Sequence, residues 1–393
     1  MICQNEIFNT RPTSAIIKNT REGSSLVKEA FMEIKIKKAS PKKRKAKPID
    51  ESKLGFGKVV TDHFFNIKYK EGLGWYDPLI EPYRPLQLDP TAMCLHYGQE
   101  IFEGLKAYRG PLGEIYLFRP TENVKRMNIS AERLCMPLMD EDIFLEAIKK
   151  LVILEKDWIP RGEGTSLYIR PTMIATEAAL GVHPANEYLF FIVVGPVGAY
   201  YPQGFSPTKM FVSQEHVRAT KGGTGHVKAA INYAASLYAS RIATNKGYTQ
   251  VLWLDAIENK YIEEVGTSNI FFVIDDELIT PPLAGTILPG ITRNSVIKLA
   301  RHLKIKVTER PITIHEVIES SHSGKLKEAF ASGTAAIISP VGQIHYRGRD
   351  YSINDGKTGV LAEKLYSEIL QIQYGLKDDP FGWRIKIFDG KKS

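Results

Sequence analysis

The stretch VRATKGGTGHVKAAINYAAS occupies residues 217–236 and sets two lysines, Lys221 and Lys228, among glycines and alanines. Only Lys228 leads directly into a helical pattern of small residues, so Lys221 is an internal comparison. A lysine amine attacks carbon only when neutral, so to work near pH 7 to 8 its pKa must fall well below the ordinary value of about 10.4. Small apolar neighbours and the positive end of a helix both favour the neutral amine. Taken alone, the stretch also reads as a surface lysine in a loop.

Three further stretches bear on that lysine. In GTILPGITRNSVIKLA (285–300) a Gly–Pro turn opens a helix, and the free N–H groups of Ile291 and Thr292 make a ready anion site. In SGTAA (332–336) a turn between strands sets the Thr334 hydroxyl beside exposed N–H groups. In YIEEVGTSN (261–269) a strand puts Glu264 on one face with Ile262 and Gly266. An acid on an apolar face needs a partner, either a protonated ring nitrogen or an arginine. An ordinary capped helix start is the plain alternative for 285–300. Together with Tyr233 these parts are an amine, two phosphate cradles, a buried acid and a phenol, the set that pyridoxal 5'-phosphate requires.

A chain of 393 residues exceeds one core and implies two domains. With 43% hydrophobic and 24% charged residues it is ordinary for a globular protein. The net charge of +8 is local: residues 1–50 hold 12 Lys+Arg against 5 Asp+Glu, leaving 40 against 39 elsewhere. The run KIKKASPKKRKAKP (35–48) has no interleaved aromatics for stacking bases, so a solvated arm is expected and nucleic acid is a remote partner. The three cysteines, Cys3, Cys94 and Cys135, show no metal-ligand spacing and suit a reducing cytoplasm. The most apolar stretch, YLFFIVVGPVGAY (188–200), is short and broken by Gly and Pro, so it reads as a buried strand and not a membrane span.

The organisation expected is mixed α/β (α+β). A disordered basic arm covers 1–53 and a small N-terminal domain 54–195. A Gly/Pro-rich linker over 196–207 leads to a large cofactor-binding domain over 208–388. DEDIFLEAIKKLVILEKDWIP (140–160) is expected to form an amphipathic helix capped by Asp140 and stopped by Pro160. Further helices are expected over about 121–135, 230–246, 292–303 and 356–375.

From Leu54 to Trp383 the chain resembles the branched-chain amino acid aminotransferases of the fold type IV, pyridoxal-phosphate-dependent class, nearest to the Gram-positive bacterial branch. The matching text includes LHYGQEIFEGLKAYRG, GTSLYIRP, GPVGAYYPQG, KGGTGHVKAAINYAAS, YIEEVGTSNIFF, ILPGITRNS and SGTAAIISPVG. The resemblance implies two α/β domains with the cofactor in the cleft between them. It implies transfer of the amino group of L-leucine, L-isoleucine or L-valine to 2-oxoglutarate by a homodimer, as in amino-acid biosynthesis. Lys228 matches the lysine that holds the cofactor covalently and shuttles the proton. Tyr233 matches the partner of the cofactor's phenolic oxygen, and Glu264 the acid on its ring nitrogen. Arg126 matches a phosphate-binding arginine. Ile291, Thr292 and Thr334 match the rest of the cradle, and Thr267 and Asn269 the loop lining the site. Tyr97, Phe102, Tyr168, Val182 and Tyr200 match the apolar substrate pocket, some of them contributed by the partner subunit. Tyr168 with the N–H groups around Thr334 and Ala335 would hold the α-carboxylate, and Arg170 the γ-carboxylate of glutamate. The alternatives are sister enzymes of the same fold, a D-amino acid aminotransferase or an aminodeoxychorismate lyase.

Two departures from the family pattern carry expectations. Mammalian relatives place a Cys-x-x-Cys pair where this chain has Ala336 and Ser339, so no thiol switch is expected there. A peroxide-induced, reductant-reversible loss of activity traced to this turn would contradict that. Relatives begin near FMEIKIKK, so Met32 is the expected start, and an intact mass that includes residues 1–31 would refute it.

Overall fold

The computed structural model describes residues 32–198 and 205–390. The described strands sort into two nine-stranded sheets. In the first lie β1 (Lys35–Ile36), β2 (His63–Lys70), β3 (Gly74–Pro82), β4 (Glu100–Phe102), β5 (Leu105–Arg109), β6 (Ile115–Phe118), β7 (Ser166–Ala175) and β8 (Glu187–Val197). In the second lie β9 (Thr208–Val212), β10 (Gln250–Leu254), β11 (Ile262–Val265), β12 (Asn269–Ile274), β13 (Glu277–Thr280), β14 (Lys306–Glu309), β15 (Leu326–Gly333), β16 (Ile337–Tyr346) and β17 (Arg349–Ser352). The last strand, β18 (Arg384–Phe388), returns to β6 of the first sheet. The first sheet runs β1-β3-β2-β8-β7-β5-β6-β18 with β4 on β7; the second runs β11-β10-β9-β16-β15-β12-β13-β14 with β17 on β16. The helices are α1 (Met93–Tyr97), α2 (Pro120–Arg133), α3 (Glu141–Leu154), α4 (Ala230–Asn245), α5 (Ile291–His302), α6 (Ile314–His322) and α7 (Val360–Tyr374).

Local sequence accounts for the elements that frame the site. β12 (NIFFVI) is buried along its whole length, as a strand covered on both faces must be. One face of its sheet packs with Ile314 and Val317 of α6, the other with α5 and α7 through Val296, Ala300, Leu365 and Ile369. α3 is capped as expected, Asp140 Oδ1 accepting from the Ile143 N–H at 2.8 Å, and buries Phe144, Ala147, Ile148, Leu151 and Val152 at helical spacing. It ends at Leu154 and not at Pro160, because Lys156–Trp158 tighten into a 3-10 turn that buries Trp158.

Three expected boundaries move. The basic arm does not extend to residue 53: Lys35–Ile36 pair in parallel with Leu79–Ile80, and Ile34 and Ala39 are buried. The Lys45 N–H donates to Asp62 Oδ1 at 2.7 Å and its ammonium to Thr61 O at 2.8 Å, so side-chain pairing orders a run without apolar periodicity. The linker does not begin at 196, since β8 continues through Gly195, Pro196 and Val197 opposite Ser166–Tyr168. Gly195 is there because a Cβ would overlap the Val59 carbonyl. Residues 384–388, expected with the second half, close the edge of the first sheet. Tyr200, half of the linker (199–204) and residues 1–31, on which the expected start at Met32 turns, lie outside the described residues.

Candidate active site

Lys228 immediately precedes the N-cap of α4, and it is fastened on both sides. Its N–H donates to Ser130 Oγ at 3.0 Å, and its carbonyl accepts from the Phe102 N–H at 3.2 Å. Ala229 bridges Ile101, which brings the loop against β4. The Lys228 Nζ donates to the Tyr233 hydroxyl at 2.7 Å and lies 4.7 Å from the centre of the Phe102 ring. Phe102 and Tyr233 are themselves in ring contact at 4.7 Å. Lys221, the comparison, is exposed.

Glu264 on β11 is buried beside a cavity whose walls also include Tyr233 and Thr267. Its Oε1 accepts from the Leu288 N–H at 2.8 Å and from Asn269 Nδ2 at 3.3 Å; its Oε2 lies 3.0 Å from Arg218 Nε. Burial pushes the carboxyl up to about 7, while the Arg218 guanidinium draws it down. Asn269 Nδ2 also donates to the Leu288 carbonyl at 3.0 Å.

The start of α5 is the first of the two anion sites expected from the sequence. Its N-cap is Gly290, which has no side chain to satisfy the first-turn N–H groups at Ile291 and Thr292. A Cβ at Gly290 would overlap the Asn269 amide oxygen, so glycine is required by space. Ile291, Thr292 and Thr334 line one small pocket, so the two cradles expected from sequence are a single place. Arg126, buried on α2, spends its forked edge on Glu103 at 2.7 and 2.9 Å and donates from Nη1 to Pro289 O at 3.1 Å. It thereby ties α2 to the approach to α5, leaving one N–H each on Nη1 and Nη2.

The residues expected to bind substrate divide into two groups. Arg170 Nη2 donates to the Tyr168 hydroxyl at 2.8 Å, and its guanidinium lies 4.7 Å from the centre of the Phe102 ring. Tyr168, Arg170 and Phe102 are thus continuous with Lys228 and Tyr233, and Ala335 follows Thr334 in the turn. Tyr97 and Val182 form a separate patch. The Tyr97 hydroxyl donates to the Leu180 carbonyl, and Leu95, Leu180 and Val182 stand exposed around it. Sequence reasoning missed Arg218 and Glu103. Glu103, an acid within the apolar run IFEGLKAY, carries the signal that singled out Glu264. No spacing rule links Arg218 to a carboxylate on a distant strand.

An amine bonded to a phenol, a buried carboxylate across a cavity, and uncapped helix N–H groups are the donor set that pyridoxal phosphate fits. A family model described as amino-transferase class IV matches residues 100–344. The chain is 54% identical over 344 residues to branched-chain-amino-acid aminotransferase 2 of Bacillus subtilis (strain 168), covering 88% of this chain and 94% of that protein. It is 52% identical to a probable branched-chain-amino-acid aminotransferase of Staphylococcus aureus (strain N315), covering 87% and 96%. Among solved structures, the branched-chain amino acid aminotransferase of Escherichia coli superposes with a TM-score of 0.69 at 27% identity, covering 83% of this chain and 99% of that one. The branched-chain amino acid aminotransferase of Thermobaculum terrenum in its PLP-form gives 0.68 at 26% identity, covering 82% and 98%. The fold and site thus define a pyridoxal-phosphate-dependent transaminase of class IV. Within that class the chain belongs to the branched-chain amino acid aminotransferases.

Proposed function

We propose that the chain moves the amino group of L-leucine, L-isoleucine or L-valine reversibly to 2-oxoglutarate, with pyridoxal 5'-phosphate held by Lys228, Tyr233, Glu264 and the α5 cradle. The observation that carries this reading is the Lys228–Tyr233 bond of 2.7 Å beside a cavity that has Glu264 on its wall. When bound, the cofactor supplies the aldehyde that takes the amino group and the ring that draws electrons from the α-carbon. Lys228 Nζ would take the α-carbon proton as general base and give a proton back as general acid. The Tyr233 phenol would hydrogen-bond the cofactor's phenolic oxygen. Glu264, as the anion, holds the ring nitrogen protonated, and Arg218 behind it favours that anion. Thr292, Thr334 and the N–H of Ile291 receive the phosphate, with Arg126 adding charge and Thr267 closing the cavity edge.

Tyr168 and the N–H groups of Thr334 and Ala335 would hold the α-carboxylate, while Phe102 gives an apolar wall that excludes water. Arg170 at the rim takes the γ-carboxylate when glutamate replaces leucine. The exposed patch of Tyr97, Leu180 and Val182 supports a homodimer in which it faces the partner's site. Tyr200 is assigned to the pocket by resemblance. Cys94 and Cys135 are free, which agrees with a cytoplasmic setting. The test is the visible spectrum of the holoenzyme during addition of L-leucine. Conversion of the bound cofactor to its amino form by L-leucine supports the reading. A band that ignores L-leucine and responds to D-alanine moves the function to a sister activity.

A further inference from the structure

Lys106 lies on β5, 5% exposed, and its ammonium donates to the Ala335 carbonyl at 2.7 Å. Among the described residues no carboxylate pairs with it. Burial alone acts on the amine and lowers it to about 8. A buried ammonium without a counter-charge is costly, and it leaves two N–H groups to be satisfied. The pocket that Lys106 lines is the one walled by Ile291, Thr292 and Thr334. The other titratable group on its walls is the Tyr108 phenol, which burial holds neutral; Asn123 and Gln373 carry no charge.

The turn that Lys106 grips is under strain. Residues 334–336 join β15 to β16 with Gly333 opposite Ile337, and Ile337 sits at φ 64°, a left-handed backbone that a β-branched side chain rarely adopts. In a trans peptide the carbonyl and the next N–H point opposite ways. Fastening the Ala335 carbonyl to Lys106 therefore fixes which way the Ala336 N–H points.

We propose that Lys106 is a positioning residue for the reaction: it pins the 334–336 turn through Ala335 and gives the adjoining pocket the positive charge that an oxyanion meets there. This rests on the cofactor reading above, in which the oxyanion is the cofactor phosphate or the substrate α-carboxylate. The shared chemistry is an anion of oxygen held by one ammonium and backbone N–H groups.

The test compares wild type, Lys106→Met and Lys106→Arg in two arms. In the first, inorganic phosphate is titrated into cofactor-free protein at about pH 7 and about pH 9.5, with binding read by calorimetry. A charge-assisted bond of the ordinary size predicts about tenfold weaker binding in Lys106→Met and near-normal binding in Lys106→Arg. Raising the pH should weaken wild type by about tenfold or more, because its amine loses the proton, and leave Lys106→Arg nearly flat. In the second arm the KM of L-leucine and of 2-oxoglutarate is measured on holoenzyme. A rise of about tenfold in both for Lys106→Met, with phosphate binding unchanged, assigns the charge to the carboxylate. Lys106→Met matching wild type in both arms overturns the proposal. So does a loss in Lys106→Met that Lys106→Arg fails to restore, which would mark a merely structural lysine. Should wild type bind no pyridoxal phosphate, the cofactor reading falls while the phosphate arm still decides Lys106.

Discussion

Removing Arg218 should destabilise the protein in a pH-dependent way. Its guanidinium lies 3.0 Å from Glu264 Oε2, with both side chains buried, and it also donates to the carbonyls of Gly225 and Thr286. Glu264 is raised from 4.5 to about 7 even with this neighbour present. The folded state therefore holds the proton more tightly than the unfolded chain. The carboxyl costs nothing well below pH 4.5, and its full cost, roughly 3 kcal/mol, is felt above pH 7. In Arg218→Met that carboxylate loses the guanidinium that balances it, and removal of one member of a buried pair costs about 3–5 kcal/mol while the other stays charged. At about pH 5.5 Glu264 is protonated in wild type already, so only the two orphaned carbonyls count, about 1–3 kcal/mol. Urea unfolding of the cofactor-free protein at about pH 8 and about pH 5.5 measures the difference. A loss of equal size at both would refute the claim that Arg218 acts through the charge of Glu264.

Arg170→Met should raise the KM for 2-oxoglutarate by about 10–100-fold, the size of a lost charge-assisted bond, and leave the L-leucine half-reaction in place, as stopped-flow absorbance of each half-reaction would show. Gly104→Ala should raise the KM of both substrates by on the order of tenfold with a smaller change in kcat, because a Cβ there overlaps the Tyr168 hydroxyl and displaces it. An unchanged KM would remove Tyr168 from the carboxylate site. Asp140→Ala should cost about 1 kcal/mol by denaturant midpoint without touching activity, since Asp140 only caps α3.

What the sequence discloses follows from how local each determinant is. Lys228, the glycine approach and the start of α4 are neighbours in the chain, so one stretch reveals them. β12, α3 and α5 carry apolar patterns or Gly–Pro punctuation; β12 and α5 fall within a few residues of expectation, and α3 starts where expected. The ordered part of the basic run is different: it is held by Asp62, Thr61 and a two-residue pairing with β3, none of which leaves a periodic trace. β18 has its partner about 270 residues earlier in the chain, a contact that no local pattern encodes. Arg218, Glu103 and Lys106 are charges whose partners sit on other elements, so their roles emerge only once the chain is folded.

The central claim is that Lys228, of all the lysines, carries the cofactor. Borohydride reduction of the holoenzyme, followed by proteolysis and peptide mass measurement, tests it most directly. Pyridoxyl modification confined to the peptide that contains Lys228, and absent from Lys228→Ala, is the expected result. Modification at Lys221 or Lys106, or none on any lysine, would contradict the account.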